Sequence, residues 1–264
     1  MLSVLLLIAK CTITFSFFNP LLAQYILMTG KIVPQLFQER RVLMRALLVD
    51  YDGTLVEVNE EKFTKEYFVQ LKAFAENRMS FSGKEIMECI EQITNFADGK
   101  ANNYERFLEC FSKKSQLNFA DLKGIFDTFY RSKYFENLSV FVKPNISVVN
   151  LVNRAKEHGI LTVLATNPVF PKIAIIKRLE WIGMTECSFD LITHMENSYY
   201  CKPDPRYFQQ IISILKVAPG DCTMVGNDEY FDRSCEKIGI EFINVKEIDK
   251  IQLGGGEHGN TDVE

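Results

Sequence analysis

The sequence predicts an open α/β fold: a parallel sheet with helices on both faces, carrying one all-helical insertion directly after its first strand. Three observations carry that prediction. A short apolar run, Met44 to Asp50, stops abruptly at acids and reads as a buried strand. From Glu60 to about Phe135, apolar residues recur at three- and four-residue steps, the period of a helix. After Pro144, helix-period segments alternate with short apolar runs, the order that winds a parallel sheet.

The elements can be justified in chain order. Met1 to Thr29 is apolar apart from Lys10, and Lys31, Arg40 and Arg41 follow it. Cys11 to Thr29 is just long enough to span a membrane, and the basic residues behind it would stay cytoplasmic. Asn19, Pro20 and Gln24 interrupt that run, and no A-x-A site closes it as a cleaved leader would require. Met44 opens "MRALLVDYDGTL", where a domain starting on its first strand would naturally begin. Residues 1–43 are therefore expected to be a membrane anchor or a dispensable extension.

The insertion follows as "EEKFTKEYFVQLKAFAE", "SGKEIMECIEQITNF", "NNYERFLECFSKK" and "NFADLKGIFDTFYRSKYF", with Ser82 and Asn118 as N-caps and Gly99 as a breaker. The helix "NISVVNLVNRAKEHG" then leads to the strand "ILTVLAT", the helix "PKIAIIKRLEWIG" and the strand "FDLIT". A helix from Pro205 to Leu215, the strand "CTMVG", a helix from about Glu229 to Ile238 and the strand "IEFINV" complete the sheet. The expected organisation is a sheet domain of 44–59 and 144–250, a helical insertion of 60–143, and a polar, Gly-rich, disordered tail of 251–264.

Bulk properties narrow the function. Of 264 residues, 47% are hydrophobic and 24% charged, as in ordinary globular proteins. A net charge of −4 without a basic run gives no electrostatic footprint for nucleic acid. The seven cysteines are scattered without a C-x-x-C pair, so neither a zinc site nor a disulfide framework is expected, and a reducing compartment is favoured. Cys201, beside Lys202, is read as structural. The three histidines lie far apart and form no metal cluster in sequence.

The chemistry collects at the strand ends. In an open parallel sheet, ligands bind outside the carboxyl ends of the strands. The first strand ends in Asp50-Tyr51-Asp52-Gly53-Thr54, the second in Thr166-Asn167, and the fourth in Gly226-Asn227-Asp228 with Asp232 one turn on; Lys202-Pro203 follows the third. Any one of these is a turn or a cap, but together they suit phosphoryl transfer through an aspartyl phosphate. A carboxylate attacking a dianionic phosphate is repelled by it, and a hard cation held by neighbouring carboxylates removes that repulsion. A lysine and a hydroxyl hold the equatorial oxygens, and a second acid protonates the leaving oxygen and then deprotonates water. Two acids on one strand exit thus supply a nucleophile and a proton shuttle, with Gly53 permitting the turn.

The motifs D-x-D-G-T-L (Asp50 to Leu55), Thr166, Lys202-Pro203 and the acidic loop Gly226 to Asp232 resemble, in order and spacing, those of the haloacid-dehalogenase superfamily. The resemblance covers Met44 to about Val245. It implies a Rossmann-like core with the helical insertion as a cap, Asp50 as nucleophile, Asp52 as acid/base, and Thr166, Asn167 and Lys202 as phosphate binders. It also implies magnesium held by Asp50, Asp52 and Asp228, with Asp232 behind them. The common fourth motif reads Gly-Asp where this chain has Gly226-Asn227, so Asn227 is an alternative ligand through its carbonyl oxygen. "ATNPVFPKIAIIKRLEWIG" and "ENSYYCKPDPRYF" look like a subgroup of bacterial hydrolases of this superfamily.

The expected activity is a magnesium-dependent, cytoplasmic phosphatase acting on a small phosphorylated metabolite, tethered to a membrane only if residues 1–43 are an anchor. Phosphomutase is the alternative that changes only the acceptor. Haloacid dehalogenation is disfavoured by Asp52 and Asp228, and a silent scaffold by the filled catalytic positions. The sequence leaves the substrate open, with Tyr104, Arg106, Tyr130 and Arg131 as candidates to face it.

Overall fold

The computed structural model describes residues 44–76, 78–251 and 253. The expectations for residues 1–43 and for the tail beyond Leu253 lie outside the described residues. Among the described residues, no helix is long and apolar enough to cross a membrane.

The sheet forms where the apolar runs place it. Strands β1 (Ala46–Val49), β4 (Leu161–Leu164), β5 (Leu191–Ile192), β6 (Cys222–Gly226) and β7 (Glu241–Asn244) lie in the order β5-β4-β1-β6-β7. All pairs are parallel, with Ala46 opposite both Leu161 and Cys222. Every residue of β1 is fully buried, as a central strand covered on both faces must be. Helices α6 (Ile146–Glu157), α7 (Lys172–Glu180) and α8 (Pro205–Leu215) provide that cover. Two apolar clusters result: Leu47 and Val49 face one, Ala46 and Leu48 the other, the alternation a strand imposes.

The helical insertion comprises α1 (Glu60–Ala75), α2 (Gly83–Asn95), α3 (Asn103–Ser115), α4 (Phe119–Tyr130) and the short α5 (Lys133–Glu136). Ser82 and Asn118 are N-caps as expected, Ser82 within a reciprocal capping box with Glu85. Gly99 breaks the chain between α2 and α3 at φ +77°. The aromatic stripe of Phe107, Phe111, Phe126, Phe129 and Tyr130 is buried among these helices.

Three features depart from the sequence reading. A two-stranded antiparallel ribbon, β2 (Val56–Val58) with β3 (Val142–Pro144), brackets the insertion; at three residues each, these strands carry no readable period. The helix expected over Glu229 to Ile238 is reduced to a 3-10 segment, Arg233–Ile238. Asp228 accepts the backbone N–H groups of Tyr230 and Phe231 (both 2.7 Å), tying residues 228–231 into a loop that competes with the helix. Finally, Cys89 on α2 and Cys110 on α3 form a disulfide, with Cα atoms 5.7 Å apart. Sequence spacing could not pair them because the contact arises only when the two helices pack. Disulfides persist in oxidising compartments, so the cysteines lend no support to a reducing one.

Candidate active site

The chain leaves β1 at the centre of the sheet, with β4 and β6 on either side, and the carboxyl ends of all three open into one crevice. Asp50 follows β1 directly and is buried. Gly53 then turns the chain at φ +73°, and a Cβ there would lie 2.4 Å from Asn227 Nδ2, so no larger residue fits. Thr54, fully buried, donates to Asn227 Oδ1 at 3.1 Å and ties the exit of β1 to that of β6. Gly226 is equally constrained, because a Cβ there would lie 2.3 Å from Asp232 Oδ2.

Lys202 is the electrostatic centre. Its ammonium is buried and donates to Asp50 Oδ1 at 2.8 Å and to Asp232 Oδ1 at 2.5 Å. Asp232 also accepts the backbone N–H groups of Asn227 and Asp228, both at 3.1 Å, so one carboxylate fixes the lysine and shapes the loop. Burial opposes the charge on Lys202, but Asp50 and Asp232 hold its ammonium well above its ordinary value. Burial pushes Asp50 up to about 7 against the pull of Lys202, with Asp232 and Asp52 adding to the rise.

On the other side stands Arg178, a residue the sequence reading missed. It projects from α7, is fully buried, and donates through Nη2 to Asp52 Oδ1. Its guanidinium centre lies 4.2 Å from the ring centroid of Tyr51, whose hydroxyl donates back to the Arg178 carbonyl at 2.6 Å. Phe63 and Phe170 flank the same guanidinium, while Nε and Nη1 have no hydrogen-bond partner among the described residues. The sequence held one signal for it. Arg178 sits four and three residues after Ala174 and Ile175, on the buried face of α7.

The phosphate-binding candidates border the same crevice. Thr166 is buried, and its carbonyl accepts from Thr193 Oγ1 (2.8 Å) and the Tyr207 hydroxyl (2.9 Å). Asn167 Oδ1 accepts the Lys202 N–H at 3.2 Å, joining the exit of β4 to the lysine loop. Asp228 uses Oδ1 for its own loop. Asp50, Asp52 and Asp228 therefore each have one oxygen engaged, by Lys202, Arg178 and backbone respectively. Glu60, at the start of α1, is raised by partial burial and then by Asp52 and Asp228, so it shares their negative field.

The donors are all oxygen, the set a hard divalent cation takes. Among the described residues, no group of three or more His, Cys, Asp or Glu forms a ready cage. Magnesium needs none, since one or two carboxylates, waters and the substrate phosphate complete its shell. The residues fit such an ion.

Beside Asp52 lies an apolar cavity of about 250 Å³, walled by α1–α4 and by Val169, Phe170, Pro171 and Met195, which follow β4 and β5. Of the residues left open by the sequence, Tyr104 and Tyr130 line it. Arg106 instead donates to the carbonyls of Ile93 (3.0 Å) and Phe96 (2.6 Å) at the end of α2. Arg131 is exposed and lines no part of the cavity.

Comparison with known proteins adds a family. A family model described as haloacid dehalogenase-like hydrolase matches residues 44–232. A protein whose name assigns it as a pyrophosphatase, PpaX of Caldanaerobacter subterraneus subsp. tengcongensis, is 22% identical over 206 residues, covering 76% of this chain and 81% of that protein. Among solved structures, CbbY from Rhodobacter sphaeroides, in complex with phosphate, is 20% identical with a TM-score of 0.49, covering 76% of this chain and 85% of that one. An enzyme from Bacteroides thetaiotaomicron, in complex with magnesium and inorganic phosphate, is 14% identical with a TM-score of 0.48, covering 76% and 93%.

Proposed function

Since the chain belongs to the haloacid dehalogenase-like hydrolases and is an enzyme of that family, we propose that it is a magnesium-dependent phosphatase acting on a small phosphorylated substrate. The observation that carries this reading is the buried Asp50–Lys202–Asp232 arrangement at the exit of the central strand, with Asp52 two residues away. In this reading, Asp50 attacks phosphorus and forms an aspartyl phosphate. Lys202, fixed by Asp232, and Thr166 and Asn167 hold the phosphoryl oxygens as charge shifts in the transition state. Asp52, oriented by Arg178, gives a proton to the leaving oxygen and later takes one from the attacking water. Asp50, Asp52 and Asp228, or Asn227 through its carbonyl oxygen, would hold magnesium, with Asp232 behind them. When bound, the ion neutralises the repulsion between carboxylate and phosphate and orients the phosphoryl group. Helices α1–α5, within residues 60–143, act as the cap over a core of 44–59 and 144–250.

The test is Asp50→Asn, an amide that cannot form the acyl phosphate. Phosphate release is expected to vanish while the far-ultraviolet circular dichroism and unfolding midpoint stay near native. In the unaltered protein, hydroxylamine should displace phosphate from the acyl phosphate and leave a hydroxamate at Asp50. Near-native turnover by Asp50→Asn would overturn the mechanism.

A further inference from the structure

The cavity beside Asp52 differs from what a charged metabolite needs. Its walls include Phe63, Ile86, Ile90, Phe107, Phe126 and Phe170, and no lysine, arginine or histidine of the described residues lines it. The acids present, Asp52 and Glu60, stand where the cavity meets the site. A second phosphate or a carboxylate placed there would give up hydration, find no lysine, arginine or histidine in the wall and face two carboxylates. A polyhydroxylated sugar would lose most of its hydrogen bonds. Pocket size argues the same way. An engineered apolar cavity of about 150 Å³ holds benzene, so one of about 250 Å³ accepts a group of roughly ten non-hydrogen atoms.

The tyrosines of the wall add little polarity. The Tyr104 hydroxyl is itself buried away from the open space, and the hydroxyls of Tyr67 and Tyr130 satisfy each other at 2.9 Å.

We propose that the natural substrate is a phosphomonoester whose leaving group is uncharged and mainly apolar, of aromatic or branched aliphatic character, seated among Phe63, Ile86, Ile90, Phe107, Phe126 and Phe170. This rests on the phosphatase reading above and narrows it. It sets the substrate apart from pyrophosphate, phosphoglycolate and sugar phosphates. The hydrolysis itself is unchanged: a bond forms from the Asp50 carboxylate to phosphorus as the P–O bond to the leaving group breaks, Asp52 supplies that oxygen's proton, and water resolves the Asp50 acyl phosphate to phosphate and the free carboxylate.

The test uses the full chain with magnesium. Acetyl phosphate, whose leaving group is too small to fill the cavity, reports the catalytic machinery. kcat/KM is then measured for 2-phenylethyl phosphate and 3-phenylpropyl phosphate, whose alkoxide leaving groups are not activated, and for phosphoglycolate, pyrophosphate, glucose 6-phosphate and phosphocholine. The two aromatic esters are expected to exceed the other four by at least about tenfold.

Binding of 1-naphthol to the Asp50→Asn protein, followed by calorimetry, separates the two readings. One-to-one binding that Ile90→Arg abolishes supports the apolar site even if no ester is turned over, in which case the phosphatase reading alone falls. Acetyl phosphate turnover combined with preference for a charged or sugar ester overturns the inference and leaves the phosphatase reading intact. Absence of 1-naphthol binding overturns it as well, since the cavity is then a packing void.

Discussion

The Arg178–Asp52 pair is the least symmetric interaction in the site, and the asymmetry has a measurable consequence. Arg178 is 1% exposed at its side chain, whereas Asp52 is 33% exposed. If Asp52 is neutralised, the buried guanidinium has neither a counter-charge nor water. Removing one partner of a buried pair in this way costs about 3 kcal/mol or more. If Arg178 is replaced by Met, the apolar chain fills the aromatic slot, the two unpartnered N–H groups vanish, and Asp52 turns to solvent. The cost should then be nearer about 1 kcal/mol, as for exposed pairs. Asp52→Asn is thus expected to destabilise the protein more than Arg178→Met, with the double variant recovering most of the difference; urea unfolding of the three proteins reads this directly. Equal losses would mean that Arg178 is held by its stacking and not by Asp52. For activity, Asp52→Asn should slow turnover by roughly a hundred- to ten-thousand-fold, as loss of a general acid–base does.

Among the elements, α2 and α3 carry the strongest restraint. The Cys89–Cys110 bond closes a segment of sequence separation 21. In the chain-entropy account, a loop of that length contributes about 3 kcal/mol through the unfolded state. Both cysteines are buried, so a reductant should act on unfolding molecules first. Urea unfolding with and without tris(carboxyethyl)phosphine should separate by about that amount, and Cys89→Ala should remove the difference; coincident curves in the unaltered protein would show that the bond does not form. Asp50, Thr166, Asn167 and Asp228 were legible because each stands where an apolar run closes, and Lys202 because Lys202-Pro203 follows the third strand. Arg178 was hidden because helical periodicity marks a face and does not reveal what that face meets. The loop of 228–231 was read as helix because Asp228 binds backbone through its side chain, a competition that periodicity cannot register. The disulfide and the β2–β3 ribbon depend on which segments meet in space, and neither has a local signal.

For the molecule as a whole, the sheet edge concentrates more negative charge than its own cations offset. Asp50, Asp52, Asp228, Asp232 and Glu60 gather there, while the paired cations are Lys202 and Arg178. Such a surplus opposes folding and favours any divalent cation that binds the native state alone. Magnesium should therefore raise the unfolding temperature as well as support turnover. At a hundredfold excess over its dissociation constant, the gain is about 2.7 kcal/mol by mass action. A chelator should abolish phosphate release, and magnesium should restore it. Calcium should stabilise the protein without restoring turnover, because its larger, looser shell misplaces the nucleophile. The thermal readout also assigns the ligand in the loop after β6. Asp228→Ala and Asn227→Ala both lose a candidate oxygen, but only Asn227 is tied to Thr54 across the site. If Asp228 holds the ion, Asp228→Ala should lose the magnesium-dependent shift and Asn227→Ala should keep most of it. Loss of that shift in Asn227→Ala alone would move the ligand role to the amide oxygen and leave Asp228 as the residue that shapes the loop.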